Sequence, residues 1–134
     1  MDWSNFIEGH LTGIAVSDGE KTIDISLRDV SGQSFILRLS DVERFVTYEM
    51  RERNIIDHIN LWEANSESND FRVVLSSLIS GKMDDTFDKR FIPLIDAEAE
   101  SICRGEKMLL EIEPVFGAYV IALAGNISVF PKHT

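Results

Sequence analysis

Residues Thr22 to Arg28 read Thr-Ile-Asp-Ile-Ser-Leu-Arg, and this stretch decides the fold class. Ile23, Ile25 and Leu27 alternate with Asp24, Ser26 and Arg28, so one face of the segment is apolar and the other polar. Period-two alternation specifies a strand buried on one side and wet on the other. Upstream, Leu11 to Ser17 is strand-like and ends in Asp18-Gly19, a pair that tolerates the backbone of a tight hairpin turn. Downstream, Ser31-Gly32 reverses the chain into Ser34 to Leu39, where Phe35, Leu37 and Leu39 share a face. Together these form an antiparallel meander, which Val42 to Tyr48 and Ile55 to Trp62 extend.

The pattern changes after Glu63. Ala64 to Asp70 is polar and loop-like. Phe71, Val74, Leu75, Leu78 and Ile79 then recur at helical spacing, with Asn69 or Asp70 as the N-cap and Gly81 just past the end. The Val-Val pair favours a strand through Phe71 to Leu75, but the stripe continues to Ile79 and favours the helix. A second helix is expected from about Asp96 to Arg104, capped by Asp96 and ended by Gly105, with Ala99, Ile102 and Cys103 on its inner face. Strands return with Lys107 to Glu113, a turn at Pro114 to Gly117, and Ala118 to Ala124. Gly125-Asn126 reads as another tight turn before Ile127 to Phe130. The expectation is an α+β fold: a mainly antiparallel sheet of about six to eight strands, with two or so short helices packed on one face.

The 134 residues suffice for one domain spanning 1–134 and show no repeat or low-complexity tract. Hydrophobic residues make up 44% and charged residues 27%, a globular composition. The acidic, polar start lacks the features of a secretory signal and no apolar run is long enough to cross a bilayer, so a cytoplasmic location is expected. With one cysteine there is no disulfide framework. A formal charge of -10 argues against nucleic acid or an anionic membrane as the direct partner.

Motifs for chemistry are missing. His10, His58 and His133 stand in unrelated contexts, and no His-Glu-x-x-His, Cys-x-x-Cys or His-x-His occurs. Asp57 and His58 are neighbours on a strand, which sends their side chains to opposite faces. There is no Gly-x-Ser-x-Gly elbow and no glycine-rich phosphate loop, and Cys103 reads as a small buried hydrophobe. Asp84, Asp85 and Asp88 in Asp-Asp-Thr-Phe-Asp resemble the magnesium motif of prenyl-diphosphate and terpene synthases. Those enzymes need a large all-helical cavity that a short, strand-rich chain does not build. No catalytic residue, cofactor or metal is expected, and the chain is not expected to be an enzyme.

The charge distribution is the distinctive feature. Asp84, Asp85, Asp88, Glu98, Glu100, Glu111 and Glu113 fall in one stretch with few cations. On the strand Lys107 to Glu113, Leu110 and Ile112 point one way, and Leu109, Glu111 and Glu113 the other. Two carboxylates on an exposed strand face repel each other and add nothing to folding. They either form a docking surface or a solvated face that keeps the chain soluble. Trp62 is either a core residue or an anchor within such a surface.

The chain resembles the small acidic immunity proteins that bacteria pair with the toxins of contact-dependent inhibition and polymorphic-toxin systems. The likeness runs through the N-terminal hairpin H-L-T-G-I-A-V-S-D-G-E-K-T-I-D-I-S-L-R-D, the strand N-I-I-D-H-I-N-L-W and the closing E-P-V-F-G-A-Y-V-I-A-L-A-G-N-I-S-V-F. The resemblance implies a toxin inhibitor acting by protein–protein interaction, with a basic toxin C-terminal domain as partner. The charge argument places its interface on Asp84, Asp85, Asp88, Glu98, Glu100, Glu111 and Glu113, with Trp62 as anchor. Two alternatives stay open. One is a small ligand- or metal-binding domain or enzyme with a pocket between sheet and helices, built on Asp57 with His58 or on the Asp84 cluster. The other is an adaptor that self-associates through a strand edge.

Overall fold

The computed structural model describes residues 2–81 and 88–133. Six strands form a single antiparallel sheet: β1 (His10–Ser17), β2 (Thr22–Arg28), β3 (Ser34–Tyr48), β4 (Asn54–Trp62), β5 (Met108–Phe116) and β6 (Tyr119–Pro131). In spatial order β1-β2-β3-β6-β5-β4 the sheet curls into a closed barrel. Two helices, α1 (Arg72–Ser80) and α2 (Ile92–Cys103), join β4 to β5 and pack on the outer wall. This is the α+β class that the alternation and the two helical stripes specify.

The alternating residues of β2 do what their pattern requires. Ile23, Ile25 and Leu27 enter the barrel and pair in register with Leu39, Leu37 and Phe35 of β3. Leu11, Ile56, Ile59, Leu110, Ile112, Val120 and Ala122 complete this interior. A second apolar cluster lies outside the barrel, where Phe71, Leu75 and Leu78 of the α1 region and Ile95, Ala99 and Ile102 of α2 cover Leu109, Ile121 and Leu123. Adjacent residues on β5 and β6 therefore serve different cores, which is why Val120 to Ala124 is apolar without alternation.

The six strands fall within the expected number, but β3, β5 and β6 are longer than the turn signals suggest. Gly125-Asn126 is not a turn; β6 runs straight through it, with Asn126 opposite Ser40 and Ala124 opposite Val42. β3 likewise continues past Asp41, whose backbone takes φ 52°, and its register against β6 shifts just beyond, between Val42 and Arg44. Gly125 faces Asp41. A Cβ there would stand 2.9 Å from the Asp41 Cβ, so the glycine marks close backbone approach beside a bulge. The expected turn at Pro114 also gives way: β5 extends to Phe116, and the reversal comes at Gly117.

Both helices start differently from expectation. Asn69 and Asp70 belong to a short 3-10 turn, Ser68–Asp70, and do not cap α1. The Phe71–Leu75–Leu78 stripe overrides the strand preference of Val73-Val74 because it buries against the barrel wall. α2 begins at Ile92 rather than Asp96, with Pro93 in its first turn, where a missing N–H costs nothing. The capping carboxylate is Asp88, which accepts the Arg90 N–H at the 3-10 turn Lys89–Phe91 that leads into α2. Asp96 instead lies within the helix and binds Arg72 of α1 at 2.6 Å.

Candidate functional site

Beside the apolar patch under the helices, the outer wall of the barrel carries a polar patch. It is built by His58 and Asn60 of β4, Glu111 and Glu113 of β5, Tyr119 of β6 and Tyr48 of β3. Register puts His58 across from Glu113 and Asn60 across from Glu111. The Asn60 Nδ2 donates to Glu111 Oε1 and to Glu113 Oε2, each at 3.0 Å, so one amide ties the two carboxylates together. The Tyr119 hydroxyl donates to the other oxygen of Glu111. Its ring centroid lies 6.5 Å from that of Tyr48.

These contacts correct the expectation of an exposed carboxylate pair. The direction of Leu110 and Ile112 into the barrel, with Glu111 and Glu113 outward, is as the alternation predicts. Glu111, however, is only 6% exposed and Glu113 is half-buried, because Asn60, Tyr119 and the neighbouring strands close around them. Burial drives the Tyr119 hydroxyl well above its ordinary range. The hydrogen bond to Glu111 and the charges of Glu111 and Glu113 push it further the same way.

Asp57 and His58 also depart from expectation. The β4–β5 register shifts on both sides of Ile56, and the irregularity brings these neighbours onto one side. The His58 Nδ1 stands 3.1 Å from Asp57 Oδ2, with both side chains about half exposed. Adjacent strand residues meet because the ladder is broken between them.

The other acidic candidates are already occupied. Asp88 caps the Lys89–Phe91 turn and binds the Arg90 guanidinium at 2.6 Å. Glu98, expected in the interface, is only 9% exposed and is held by Lys107 at 2.8 Å. The same ammonium reaches Glu43 at 2.8 Å. Burial alone would lower the Lys107 pKa, and the hydrogen bonds its ammonium donates to Glu43 and Glu98 outweigh that effect and raise it. Glu100 pairs with Arg104 one helical turn on, at 2.9 Å. Asp84 and Asp85 lie outside the described residues. Trp62 is half-buried, its ring 6.1 Å from that of Phe71 at the rim of the outer core.

The residues that sequence reasoning missed are the neutral ones. Asn60 is a polar residue at an outward position of β4, and only the cross-strand register shows that it bridges two carboxylates. Tyr119 precedes an apolar run and gives no sign that its hydroxyl meets a buried acid. Asn54 is the hub of the barrel's closed end. It is 2% exposed, accepts the N–H groups of Arg51 and Ala118, and donates to the carbonyls of Leu11 and Arg51. The cysteine lies on the inner side of α2, half-buried, and its Sγ reaches the Ser66 carbonyl at 3.2 Å.

Among the described residues no group of three or more His, Cys, Asp or Glu side chains is arranged to hold a metal ion. Nor, among those residues, is any helix long and apolar enough to cross a membrane. Comparison with known proteins finds no matching family model, no matching curated sequence and no matching solved structure.

Proposed function

We propose that the chain is a binding protein that takes a cationic side chain of a basic protein partner onto the β4–β5 wall. The wider reading is an immunity protein that blocks a toxin domain by covering its active site. One observation carries it: Asn60 ties Glu111 and Glu113 together, and neither they nor Asp57 on the neighbouring strand have a Lys or Arg in ion-pair reach among the described residues. Asp88, Glu98 and Glu100, by contrast, each have an internal cation. Burying a carboxylate without a counter-charge works against folding. Low polarity around Glu111 also strengthens its pull on any cation that arrives. An arginine or lysine from a partner would find acceptors already fixed by Asn60 and Tyr119. Trp62, on the same strand as Asn60, supplies an apolar contact beside them.

An acidic surface of this kind accelerates encounter with a basic partner and fixes its register. Nucleases and other phosphate-binding proteins carry such basic surfaces. Occlusion then needs no chemistry from the inhibitor. In this reading Asp84 and Asp85 contribute through their charge alone, as long-range attraction.

The test is capture from the native cells with the full chain as bait, using wild type and the double variant D57N/E113Q. Wild type retains a basic protein at low salt and inhibits its activity; high salt and the variant each slow association about tenfold or more. Retention of the same protein by both baits, with equal association rates, overturns the assignment.

A second reading has its own support in the Asp57–His58 contact. A carboxylate that orients a histidine beside Glu113 is an acid–base arrangement suited to a small ligand. A thermal-shift series with divalent cations and nucleotides separates the two, since a ligand bound only by the folded state raises its melting point.

A further inference from the structure

The barrel is closed by very little ladder. β1 pairs with β4 only at His10–Ile55 and Leu11–Asn54, extended by the hydrogen bonds of Glu8 and Gly9 to Ile56. From Thr12 to Ser17, β1 has β2 on one side and, among the described residues, no strand on the other. Every second residue of this segment aims its N–H and C=O away from β2. The open edge is about 20 Å long at the usual strand rise.

Its side chains lack the devices that keep edges from pairing. Leu11 to Ser17 contains no charged residue and no proline. Ile14 and Val16 stand opposite Ile25 and Ile23 of β2 and so project toward the barrel interior. With no further strand beyond them, Val16 is 65% exposed. Gly13, Ala15 and Ser17 form the other face and are small. The free stretch of β4 is different: it carries Asp57 and His58 and ends beside Glu63. A second copy there would set like charges against each other.

We propose that the Thr12–Ser17 edge of β1 pairs with the same edge of a second copy, antiparallel about a two-fold axis at Ala15. In that register Ile14 of each copy faces Val16 of the other, Gly13 faces Ser17, and Ala15 faces Ala15. The sequence is its own complement: the two apolar pairs extend the barrel interior across the junction, and the small residues meet on the outside. A two-fold contact of this kind closes at the dimer and leaves no further β1 edge open. The uncharged edge offers nothing to select a foreign strand over an identical one. Each copy carries a formal charge of -10, so the copies repel at a distance and salt strengthens the dimer. Docking of a basic partner responds to salt in the opposite sense, so the two proposals succeed or fail separately.

Sedimentation velocity on the full chain, over a concentration series at low and high salt, tests it. Wild type shifts from monomer to dimer with concentration, and more readily at high salt. Ala15 is exposed on the outer face, so A15D and A15K keep the fold, which circular dichroism verifies. Each places like charges directly opposite at the axis and weakens the dimer about tenfold or more. Mixed in equal amounts at low salt, A15D and A15K form a heterodimer. Should either fail to fold, V16K, at an exposed position of the same edge, serves in its place and also weakens the dimer. A wild-type chain monomeric at every concentration leaves the edge to a heterologous strand and overturns the proposal. So do A15D dimers as tight as wild type.

Discussion

Asn54 and Gly117 fit together because one of them has no side chain: a Cβ on residue 117 would collide with the Asn54 Oδ1. It would also stand 3.0 Å from the Arg53 carbonyl and 3.0 Å from the Asn54 Cα. Gly117 has φ 90°, so a larger residue is strained even before the collision. The amide that fills this space joins three separate segments of the closed end of the barrel. N54A leaves buried N–H and C=O groups unmatched and is expected to cost about 2–3 kcal/mol. G117A is expected to cost about 1–3 kcal/mol through backbone strain. Chemical denaturation checks both. Because the two changes remove one shared fit, the double variant loses less than the sum of the singles.

The Tyr119 hydroxyl keeps its proton far into the alkaline range, because burial and Glu111 both oppose the phenolate. The folded-state pKa lies above the unfolded value near 10, so this group's contribution is complete below about pH 10. It is lost as pH rises beyond that value, because the unfolded chain then releases a proton that the folded chain retains. The sequence has two tyrosines. Ultraviolet titration should show one of them ionising only when the protein unfolds, and Y119F should flatten the alkaline fall in stability.

Lys107 joins β3, α2 and β5 through Glu43 and Glu98. K107M keeps the stem and removes the charge, leaving Glu98 buried without its partner. The expected loss is about 1.5–3 kcal/mol at neutral pH. E98Q in the K107M background is expected to recover part of it, as a denaturation cycle would show.

At the acid end, Asp24 and Asp29 contribute to the pH dependence. The hydrogen bond from Arg38 holds the Asp24 carboxyl below its ordinary value, and Asp29 is held down by Ser31 and the N–H groups of the following turn. A carboxyl lowered in the folded state contributes stability that is present above the unfolded value, near 3.9, and fades as pH falls through the folded one. D24N and D29N should each reduce the slope of the acid limb below about pH 4 while changing the alkaline limb little. Melting points across pH measure both slopes.

Much of the fold is legible in the sequence wherever a single face decides burial. β2 announces itself by Ile23, Ile25 and Leu27, and α1 by Phe71, Leu75 and Leu78. The sequence reading fails where a local cue has a tertiary cause. Gly125 looks like a turn because glycine permits turns, yet it is small for the sake of Asp41 on the facing strand. Asp96 looks like a cap, yet its partner is Arg72, which lies 24 residues earlier. The candidate site is legible in part. The outward direction of Glu111 and Glu113 follows from alternation, but their burial depends on Asn60 and Tyr119, which only the register brings to them. The Asp57–His58 contact was hidden for a similar reason, since nothing in the residues themselves signals the broken ladder at Ile56.

Leu109 and Leu110 are neighbours in the chain and belong to separate hydrophobic clusters, one beneath the helices and one inside the barrel. Neither cluster can loosen without disturbing a strand that the other depends on. Amide hydrogens on β5 and β6 should therefore exchange last, together, and only through global opening. The whole chain then melts as one cooperative unit, with no stage at which the helical layer has peeled away from an intact barrel.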